Sequence, residues 1–430
     1  MADAARVTRW SVALAGAVAL AVAMGIGRFA FTPLLPMMLH DGVIDLQAAS
    51  WLASVNYLGY LAGALLCTFQ PWLWARLGRT KPLDGTTVLR AGLVATGVLT
   101  LAMALPAAAL WPLWRFAAGV ASALVFVFTS GWCLAQLARL NASAMGGVMY
   151  AGPGAGIVVS GLLASSMVAL EWRAAAAWAV FGGLAWGLTA VAWRRFEAGA
   201  TPSLVTTATV AATSPEPASR ATTGSPPAGT APHGATEIAL LAFAYGLAGF
   251  GYIITATFLP VIARAALPGS PWLDLFWPLF GAAVMAGALL STRLRLSRDL
   301  RWLLAVGYLV QATGVGLSVW WPTLTGFALS SVLLGLPFTA ITFFAMQEVR
   351  RLRPAAVAST MGLLTAMYGI GQIVGPPLAA WLLLRSVDAG SGEAGGFTIA
   401  LQVASGALLV GAAMYAGMIR TWPDVSKGSR

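Results

Sequence analysis

Charge is scarce in this sequence. Only 9% of its 430 residues are Asp, Glu, Lys or Arg, whereas 59% are hydrophobic. A soluble domain carries about 25% charged residues, so the composition excludes a water-soluble globule. All fourteen acidic residues fall in predicted loops, tails or helix ends. We therefore predict no relay of carboxylates through the centre of a bilayer.

Cysteine and histidine are equally rare, with two residues of each. Cys67 and Cys133 both lie inside apolar runs and are predicted to be buried hydrophobic residues rather than a disulfide or a metal set. A membrane-embedded transferase would need clustered His, Asp and Glu at a membrane face. The sequence therefore predicts neither an enzyme nor a cofactor.

What the chain has is a series of apolar runs, each about as long as a membrane-spanning helix, which needs about 20 residues. The first run continues past Arg28 to Met38, too long for a removable signal, so we predict a retained helix. Twelve runs are predicted to be helices: 11–39, 48–69, 86–106, 110–136, 143–168, 174–193, 237–263, 272–292, 302–320, 323–347, 356–384 and 396–419. The separation at Trp320-Trp321-Pro322 is the shortest.

The basic residues orient these runs. The net charge of +11 is dispersed between the runs, which argues against nucleic acid as a partner. With a cytoplasmic N-terminus, twenty Lys and Arg fall on the inner side, and only Arg173, Arg264 and Arg385 fall on the outer side. This asymmetry follows the positive-inside rule and predicts that both termini are cytoplasmic.

The segment 194–236 has a different composition, rich in Thr, Ala, Pro, Ser and Gly. Such a segment buries too little apolar surface to order itself, so we predict a flexible cytoplasmic linker that includes His233. The predicted organisation is a six-helix bundle over 1–193, the linker over 194–236, and a second six-helix bundle over 237–430. The fold class is an all-α membrane protein with two pseudo-symmetric bundles.

An internal repeat supports this division. Gly25-Ile26-Gly27 and Gly249-Phe250-Gly251 are 224 residues apart, and each is followed by Leu-Pro that begins ten residues after its first glycine. Ser143-Ala144-Met145-Gly146 is echoed by Ser359-Thr360-Met361-Gly362. Duplicated halves with a binding site between them are typical of secondary transporters.

Three motifs resemble signatures of the major facilitator superfamily. Arg76-Leu77-Gly78-Arg79 resembles the loop signature after the second helix, although Ala75 stands where that signature has Asp. Arg115-x-x-x-Gly119 resembles the signature of the fourth helix, whose Arg is associated with proton-coupled transport. Gly152-Pro153-x-x-Gly156 partly resembles the Gly-Pro signature of exporters. The resemblance implies a gating role for Arg76, Gly78 and Arg79.

A narrower resemblance rests on the first two helices. Met24 to Pro36 and Trp51 to Tyr60 are similar to the opening of the YbfB/YjiJ-type branch of that superfamily. This branch implies a transporter without naming its substrate. Family and size together indicate a bacterial inner membrane protein.

Arg28 is the first candidate for chemistry, because a charge in mid-helix costs roughly 2.5–3.5 kcal/mol and usually faces a cavity. Helical spacing places Gly25, Arg28, Thr32 and Leu35 on one face, with space for the guanidinium beside Gly25. The functional hypothesis is a cavity arginine that binds an anionic group or pairs with a gating carboxylate. The alternative is an arginine bonded to helix-end carbonyls that only locks two helices together.

Arg115 is the second candidate, and its alternative is snorkelling to the outer interface. Further polar residues are predicted to line a cavity, although each is also suited to an ordinary interhelical hydrogen bond. They are Asn56, Tyr60, Tyr150, Tyr245, Tyr252, Thr365, Tyr368 and Gln372. Glu348, beside Arg350 and Arg351, is predicted to form a surface pair.

These residues predict a secondary active transporter that moves a small organic solute by alternating access. Two membrane arginines without a buried acid favour an anionic solute. The alternative is a proton-coupled exporter of amphipathic drugs or metabolites, favoured by the Gly-Pro motif and the aromatic content. Coupling is left open between a proton site at Asp274 or His40, uniport and anion exchange. The expected partners are the solute and the lipid bilayer, and we expect a monomer.

Overall fold

The computed structural model describes residues 8–78, 84–142, 145–197, 234–267, 269–270, 272–291, 293, 299–353, 357–388 and 392–423. Over these residues the chain is helical and contains no strand. Twelve described helices are long and apolar enough to cross a membrane. They are α1 Arg9–His40, α2 Leu46–Gln70, α3 Gly85–Ala102, α4 Ala108–Arg139, α5 Gly146–Ala169, α6 Ala174–Phe196, α7 Ala235–Ala266, α8 Leu273–Ser291, α9 Leu300–Trp320, α10 Leu324–Val349, α11 Thr360–Asp388 and α12 Gly395–Thr421.

The twelve predicted runs are confirmed, with edges that differ by a few residues. The helical backbone of α2 continues to Arg76, beyond the predicted end at residue 69. The short separation before α10 is real, because the Thr323 side chain caps the new helix by accepting from the Gly326 amide at 3.2 Å. Of the predicted linker, residues 198–233 with His233 lie outside the described residues.

The helices form two halves of six, α1–α6 and α7–α12. Because the number of helices is even, the beginning of α1 and the end of α12 lie on one face of the bundle, which we call the terminus side. The opposite face is the distal side. The halves meet along two long antiparallel pairs, α2 with α11 and α5 with α8. These pairs are equivalent under the sequence repeat, so the architecture is two-fold pseudo-symmetric.

Glycine permits the closest of these approaches. A Cβ atom on Gly154 of α5 would lie 2.6 Å from the carbonyl oxygen of Gly281 on α8. In the same helix, a Cβ on Gly156 would lie 2.6 Å from the Ala21 oxygen of α1. Small residues are typical where membrane helices pack backbone to backbone. The interface between the halves is therefore close enough for side chains of both to meet at its centre.

Candidate functional site

The centre of the molecule is organised by an interruption of α1. The helix is α-helical over Arg9–Leu20, winds as a π-helix over Ala21–Ile26, and resumes as an α-helix at Phe31. Pro33 has no amide hydrogen to donate. The Thr32 amide bonds to the Phe29 carbonyl at 3.2 Å, so it does not bond to the Arg28 carbonyl as it would in a regular helix. The segment between these helices therefore has backbone carbonyls without a backbone hydrogen bond, and it has no regular helical face.

This interruption corrects the predicted neighbours of Arg28. Regular spacing placed Gly25 beside the guanidinium, but a Cβ on Gly25 would lie 2.3 Å from the Gly156 Cα of α5. Gly25 thus serves helix packing. The π-helical turns rotate the following residues relative to a regular helix, which is why the predicted shared face is wrong here.

Arg115 of α4 hydrogen-bonds the carbonyls that the interruption of α1 leaves without a backbone partner. Its Nη1 donates to the Gly27 oxygen and its Nη2 to the Arg28 oxygen, both at 3.4 Å, and its guanidinium lies 4.8 Å from the centre of the Phe31 ring. Only 2% of Arg115 is exposed, so it does not snorkel to an interface. The locking role considered for Arg28 is thus carried by Arg115.

Asn56 belongs to the same support. Its Nδ2 donates to the Arg115 carbonyl at 2.8 Å, tying α2 to α4. A Cβ on Gly119 would lie 2.1 Å from the backbone carbonyl oxygen of Asn56, so the backbones of α2 and α4 nearly touch at this level. Of the two outcomes considered for Asn56, the structure shows the interhelical hydrogen bond.

Arg28 itself points between the two halves and is 3% exposed. Its Nη2 donates to Oε1 of Gln372 on α11 at 2.8 Å, while its Nε has no hydrogen-bond partner. The guanidinium carbon lies 4.1 Å from the ring centre of Tyr60 and 5.1 Å from that of Tyr57. Cation–π contact of this kind replaces part of the stabilisation that a counter-ion would give.

Gln372 connects this arginine to a stack of tyrosines in the other half. Its Nε2 donates to the Tyr252 hydroxyl of α7. Tyr368 stacks on Tyr252 at 5.8 Å and on Tyr245 at 4.8 Å between ring centres, and Tyr245 donates to the Thr342 hydroxyl at 3.1 Å. Four predicted residues, Gln372 and these three tyrosines, therefore form one cluster with Arg28.

The other candidates lie around this cluster. Tyr150 of α5 is half-buried, its ring centre is 6.2 Å from that of Phe126, and it is within electrostatic range of Tyr60. The Thr365 hydroxyl donates to the Met361 carbonyl of its own helix at 2.9 Å, so it serves α11 itself. The Thr32 hydroxyl donates to the Ala256 carbonyl of α7, outside this cluster.

Five hydrogen bonds between described residues connect the halves, and all lie at the centre or on the distal side. One is the bond between Arg28 and Gln372. The others join Thr32 to the Ala256 oxygen at 2.8 Å, Tyr57 to Thr257 at 2.9 Å, Ser54 to the Ile373 oxygen at 3.0 Å, and Ser165 to the Asp274 oxygen at 3.0 Å. The halves are therefore fastened together on the distal side.

The residues predicted for gating are only partly described. Arg76 ends the helical backbone of α2, with its guanidinium carbon 5.2 Å from the Trp72 ring centre. Gly78 turns the chain with φ of +62°, a conformation that favours glycine. Arg79 lies outside the described residues.

A charge cluster in the second half was missed in the sequence. Arg301 at the start of α9 is 1% exposed and donates to Glu237 at 3.0 Å and to Asp299 at 3.0 Å. It also lies 3.5 Å from Glu348, which is fully buried and bonded to Arg351 at 2.7 Å. The predicted surface pair at Glu348 is thus wrong, because the ends of α7, α9, α10 and α12 converge and exclude water. Two charges of opposite sign at 299 and 301, just before an apolar run, were the available signal.

Asp299 lies outside the spans, and two effects act on its pKa. Burial alone would raise this pKa, but the backbone and side chain of Arg301 donate to the carboxylate, and the charges of Arg301 and Arg351 add to this. Together they hold the pKa of Asp299 below its usual value. Its surroundings therefore favour the ionised form of Asp299.

On the distal side, Asp274 is paired with Arg264 of α7. His40 is also there, with 91% of its side chain exposed and Asp41 at 3.9 Å. Both residues considered for coupling are thus far along the helices from the Arg28 cluster.

The comparisons with known proteins agree with this architecture. A crystal structure of a mutant of the nucleoside transporter NupG is similar with a TM-score of 0.67 at 15% identity, covering 95% of this chain and 99% of that one. A second NupG structure has a TM-score of 0.62 at 14% identity, covering 96% and 99%. At such identity the likeness shows the fold alone. No curated protein matches the chain at a significant level.

The sequence itself carries the more specific relationship. Residues 20–416 match the model of one family, described as "Uncharacterised MFS-type transporter YbfB". This range includes all twelve helices except the first residues of α1 and the last residues of α12. The chain is a multi-pass membrane transporter of the major facilitator fold and belongs to the YbfB-type family.

Proposed function

We propose that this transporter is a secondary active carrier that moves a small organic anion across the bacterial inner membrane by alternating access. The observation that carries the proposal is the Arg28 guanidinium, buried at the junction of the halves with an unused Nε donor. Its Nη2 donates to a neutral amide, that of Gln372. Both chain termini are proposed to be cytoplasmic.

The buried charge of Arg28 favours an anionic solute. A buried charge without a counter-ion is costly, and an unsatisfied donor adds to that cost. The described ion pairs of the second half involve other arginines, namely Arg264, Arg301 and Arg351. A solute carboxylate or similar group would supply the missing negative charge, and its binding energy would come from relieving this cost.

The arrangement of contacts supports alternating access. The distal bonds close one side of the interface, while Tyr60, Tyr150 and Tyr368 at the centre remain half-buried. Arg28 belongs to one half and Gln372 to the other, so an anion that competes for the guanidinium changes the bond between the halves. This gives solute binding a differential effect on the two states, which a carrier requires.

Coupling through exchange of one anion for another fits the site best. Asp274 is engaged by Arg264, and His40 is exposed at the end of α1. Neither contacts the cluster around Arg28. A fixed positive charge at Arg28 that needs an anion in every crossing favours exchange over free return of the empty carrier.

The alternative is a proton-coupled exporter of amphipathic compounds. The many rings between the halves favour it, including Phe29, whose ring centre lies 6.5 Å from that of Phe338. Such an exporter would accept cationic drugs, which the guanidinium would repel. Binding of organic cations against organic anions separates the two.

The test uses purified full-length chain in proteoliposomes loaded with a mixture of organic anions, with uptake of labelled anions as the readout. Arg28→Met removes the charge, and Arg28→Lys keeps the charge but removes the planar fork. Arg385, an exposed arginine at the distal end of α11 beside Trp381, gives the matched control Arg385→Met.

We expect uptake to fall at least tenfold in Arg28→Met, to fall less in Arg28→Lys, and to be unchanged in Arg385→Met. The lost interaction is a charge-assisted hydrogen bond of about 1.5–3 kcal/mol. Uptake that is equal in Arg28→Met and the unmodified protein would overturn the anion site. Uptake only of cations, dependent on a pH gradient, would establish the alternative.

A further inference from the structure

The rings around Arg28 are arranged as two aromatic walls, one from each half. Tyr60 of α2 provides the first wall. The stack of Tyr252, Tyr368 and Tyr245 provides the second, with rings inclined by only 22° and 29° to one another. Both walls lie at one level, because a Cβ on Gly369 would be 3.2 Å from Cδ1 of Leu61. Tyr60 and Tyr368 directly precede these two residues on facing helices.

Exposure is graded across this cluster. Arg28, Tyr57, Tyr245 and Tyr252 are each at most 4% exposed. Tyr60 and Tyr368, in contrast, are half-buried. The accessible ring surface of the cluster thus belongs to Tyr60 and Tyr368, and the charge lies at the buried end.

The polar side chains of α11 beside the rings are already hydrogen-bonded. Both ends of the Gln372 amide are engaged, by Arg28 and by Tyr252. The Thr365 hydroxyl is bonded to its own helix. A polyhydroxylated solute would leave most of its hydrogen-bonding groups unmatched here, and sites that accept such solutes offer several polar partners.

Rings select flat ligands for a physical reason. Stacked or edge-to-face aromatic pairs gain energy beyond the area that they bury, and a saturated ring of the same size cannot make these contacts. The guanidinium is also planar and pairs with a carboxylate in its own plane. One charge and several ring faces thus define a ligand with a flat body and one anionic group.

We infer that the solute is a planar aromatic or conjugated carboxylate, whose carboxylate binds Arg28 and whose ring lies between Tyr60 and Tyr368. This rests on the proposed anion transport and adds the class of anion. The ring and the charge are recognised by different residues, so they can be tested separately.

The test measures binding of three probes to the purified full-length protein by calorimetry. Benzoate has the ring and the charge, cyclohexanecarboxylate has the charge without a flat ring, and benzamide has the ring without the charge. We expect benzoate to bind about 3- to 10-fold more tightly than cyclohexanecarboxylate. Benzamide is expected to bind at least tenfold more weakly than benzoate.

Two variants at one position locate the preference. Tyr60→Phe retains the ring and is expected to retain the ratio between the two carboxylates. Tyr60→Leu removes the ring, and the ratio is expected to fall to about one. Loss of the ring contact with Arg28 changes the affinity for both carboxylates alike, so the ratio isolates the stacking. Tyr60→Phe also shows that a change at this position leaves a folded protein.

The outcomes distinguish the two proposals. Equal affinities for benzoate and cyclohexanecarboxylate, both lost in Arg28→Met, would overturn the planar class and leave the anion site standing. Benzamide binding as tight as benzoate would overturn the anion site itself. A benzoate preference that persists in Tyr60→Leu would overturn the assigned position of the ring, as would absence of benzoate binding at millimolar concentration.

Discussion

Arg28 and Tyr252 occupy matching positions in the two repeats, 224 residues apart, and the same amide side chain joins them. Gln372 accepts from Arg28 through its oxygen and donates to Tyr252 through its nitrogen. An arginine in one half and a tyrosine in the other thus break the symmetry at the point where the halves meet. Function in duplicated carriers is expected where the repeats differ.

This amide gives a direct prediction. Gln372→Glu would place a carboxylate against the guanidinium and supply the missing counter-ion from within the protein. We expect organic anion binding to weaken at least tenfold while the melting temperature is kept or raised. Calorimetry and thermal unfolding of the same preparation measure the two effects.

The matched control is Gln372→Leu, which removes the amide without adding charge. We expect it to lower the melting temperature, because Arg28 and Tyr252 both lose a partner, and to retain anion binding better than Gln372→Glu. If Gln372→Glu binds anions as the unmodified protein does, Arg28 is not the anion site.

The distal hydrogen bonds give a second prediction, on conformation. Thr32→Val and Tyr57→Phe each remove one bond between the halves without changing size greatly. Each such bond contributes about 0.5–1.5 kcal/mol, so the double variant is expected to shift the balance toward the distally open state by roughly 5- to 100-fold. Distances between spin labels on the distal ends of α1 and α7 measure this shift.

Ser11 offers the control for this experiment, because its hydroxyl bonds to Thr8 at the terminus end of α1, away from the interface. Ser11→Ala is expected to leave the distance distribution unchanged. A double variant that keeps the distribution of the unmodified protein would show that these bonds do not hold the distal side closed.

Much of the architecture was predictable from the sequence, because membrane helices are defined by length and apolar composition. All twelve runs are confirmed. The offset of the repeat also recurs in a contact, because Thr32 bonds to Ala256, 224 positions later. Arg28, Tyr252 and Gln372 were each predicted to face a cavity, and they lie in one cluster. The segment boundaries at 194 and 236 stay a prediction.

The local chemistry was less predictable, since it depends on departures from regular geometry. Because α1 is interrupted, Arg115 binds its carbonyls and Arg28 reaches Gln372. Regular helical spacing in the sequence does not predict such an interruption. The burial of Glu348 depends on Arg301 in another helix, a contact between residues distant in sequence. Such pairings are set by tertiary packing rather than by local pattern.

Close helix packing gives a third prediction, with a matched pair of glycines. Gly156→Ala would place a methyl group 2.6 Å from the Ala21 oxygen and 2.7 Å from the Gly25 Cα, forcing α1 and α5 apart. We expect a lower melting temperature and weaker anion binding, because the interrupted segment carrying Arg28 moves. A Cβ on Gly183 of α6 would have no atom within 4 Å. Gly183→Ala is therefore expected to be neutral or slightly stabilising, because Ala favours a helix more than Gly does.

Thermal unfolding of the two variants, with benzoate titration of each, makes this comparison. An equal change in both would mean that the contact between α1 and α5 is not the cause of the effect.

The buried charge cluster gives the last prediction. Arg301→Met removes the central cation, which lies 3.0 Å from Glu237 and 3.5 Å from Glu348, both fully buried. Breaking a buried pair in this way costs about 3–5 kcal/mol, so we expect a large fall in stability and poor yield of folded protein. Arg420→Met, at an exposed position near the end of α12, is expected to change little.

Glu348→Gln in the Arg301→Met background separates charge from packing, since it removes one of the carboxylates that surrounded Arg301. We expect part of the lost stability to return, because less negative charge is then buried at these helix ends. Thermal unfolding in detergent compares the single and double variants. If the double variant is less stable than Arg301→Met alone, the cluster stabilises the second half through packing and hydrogen bonds, and the charge balance around Arg301 is not what holds these helix ends together.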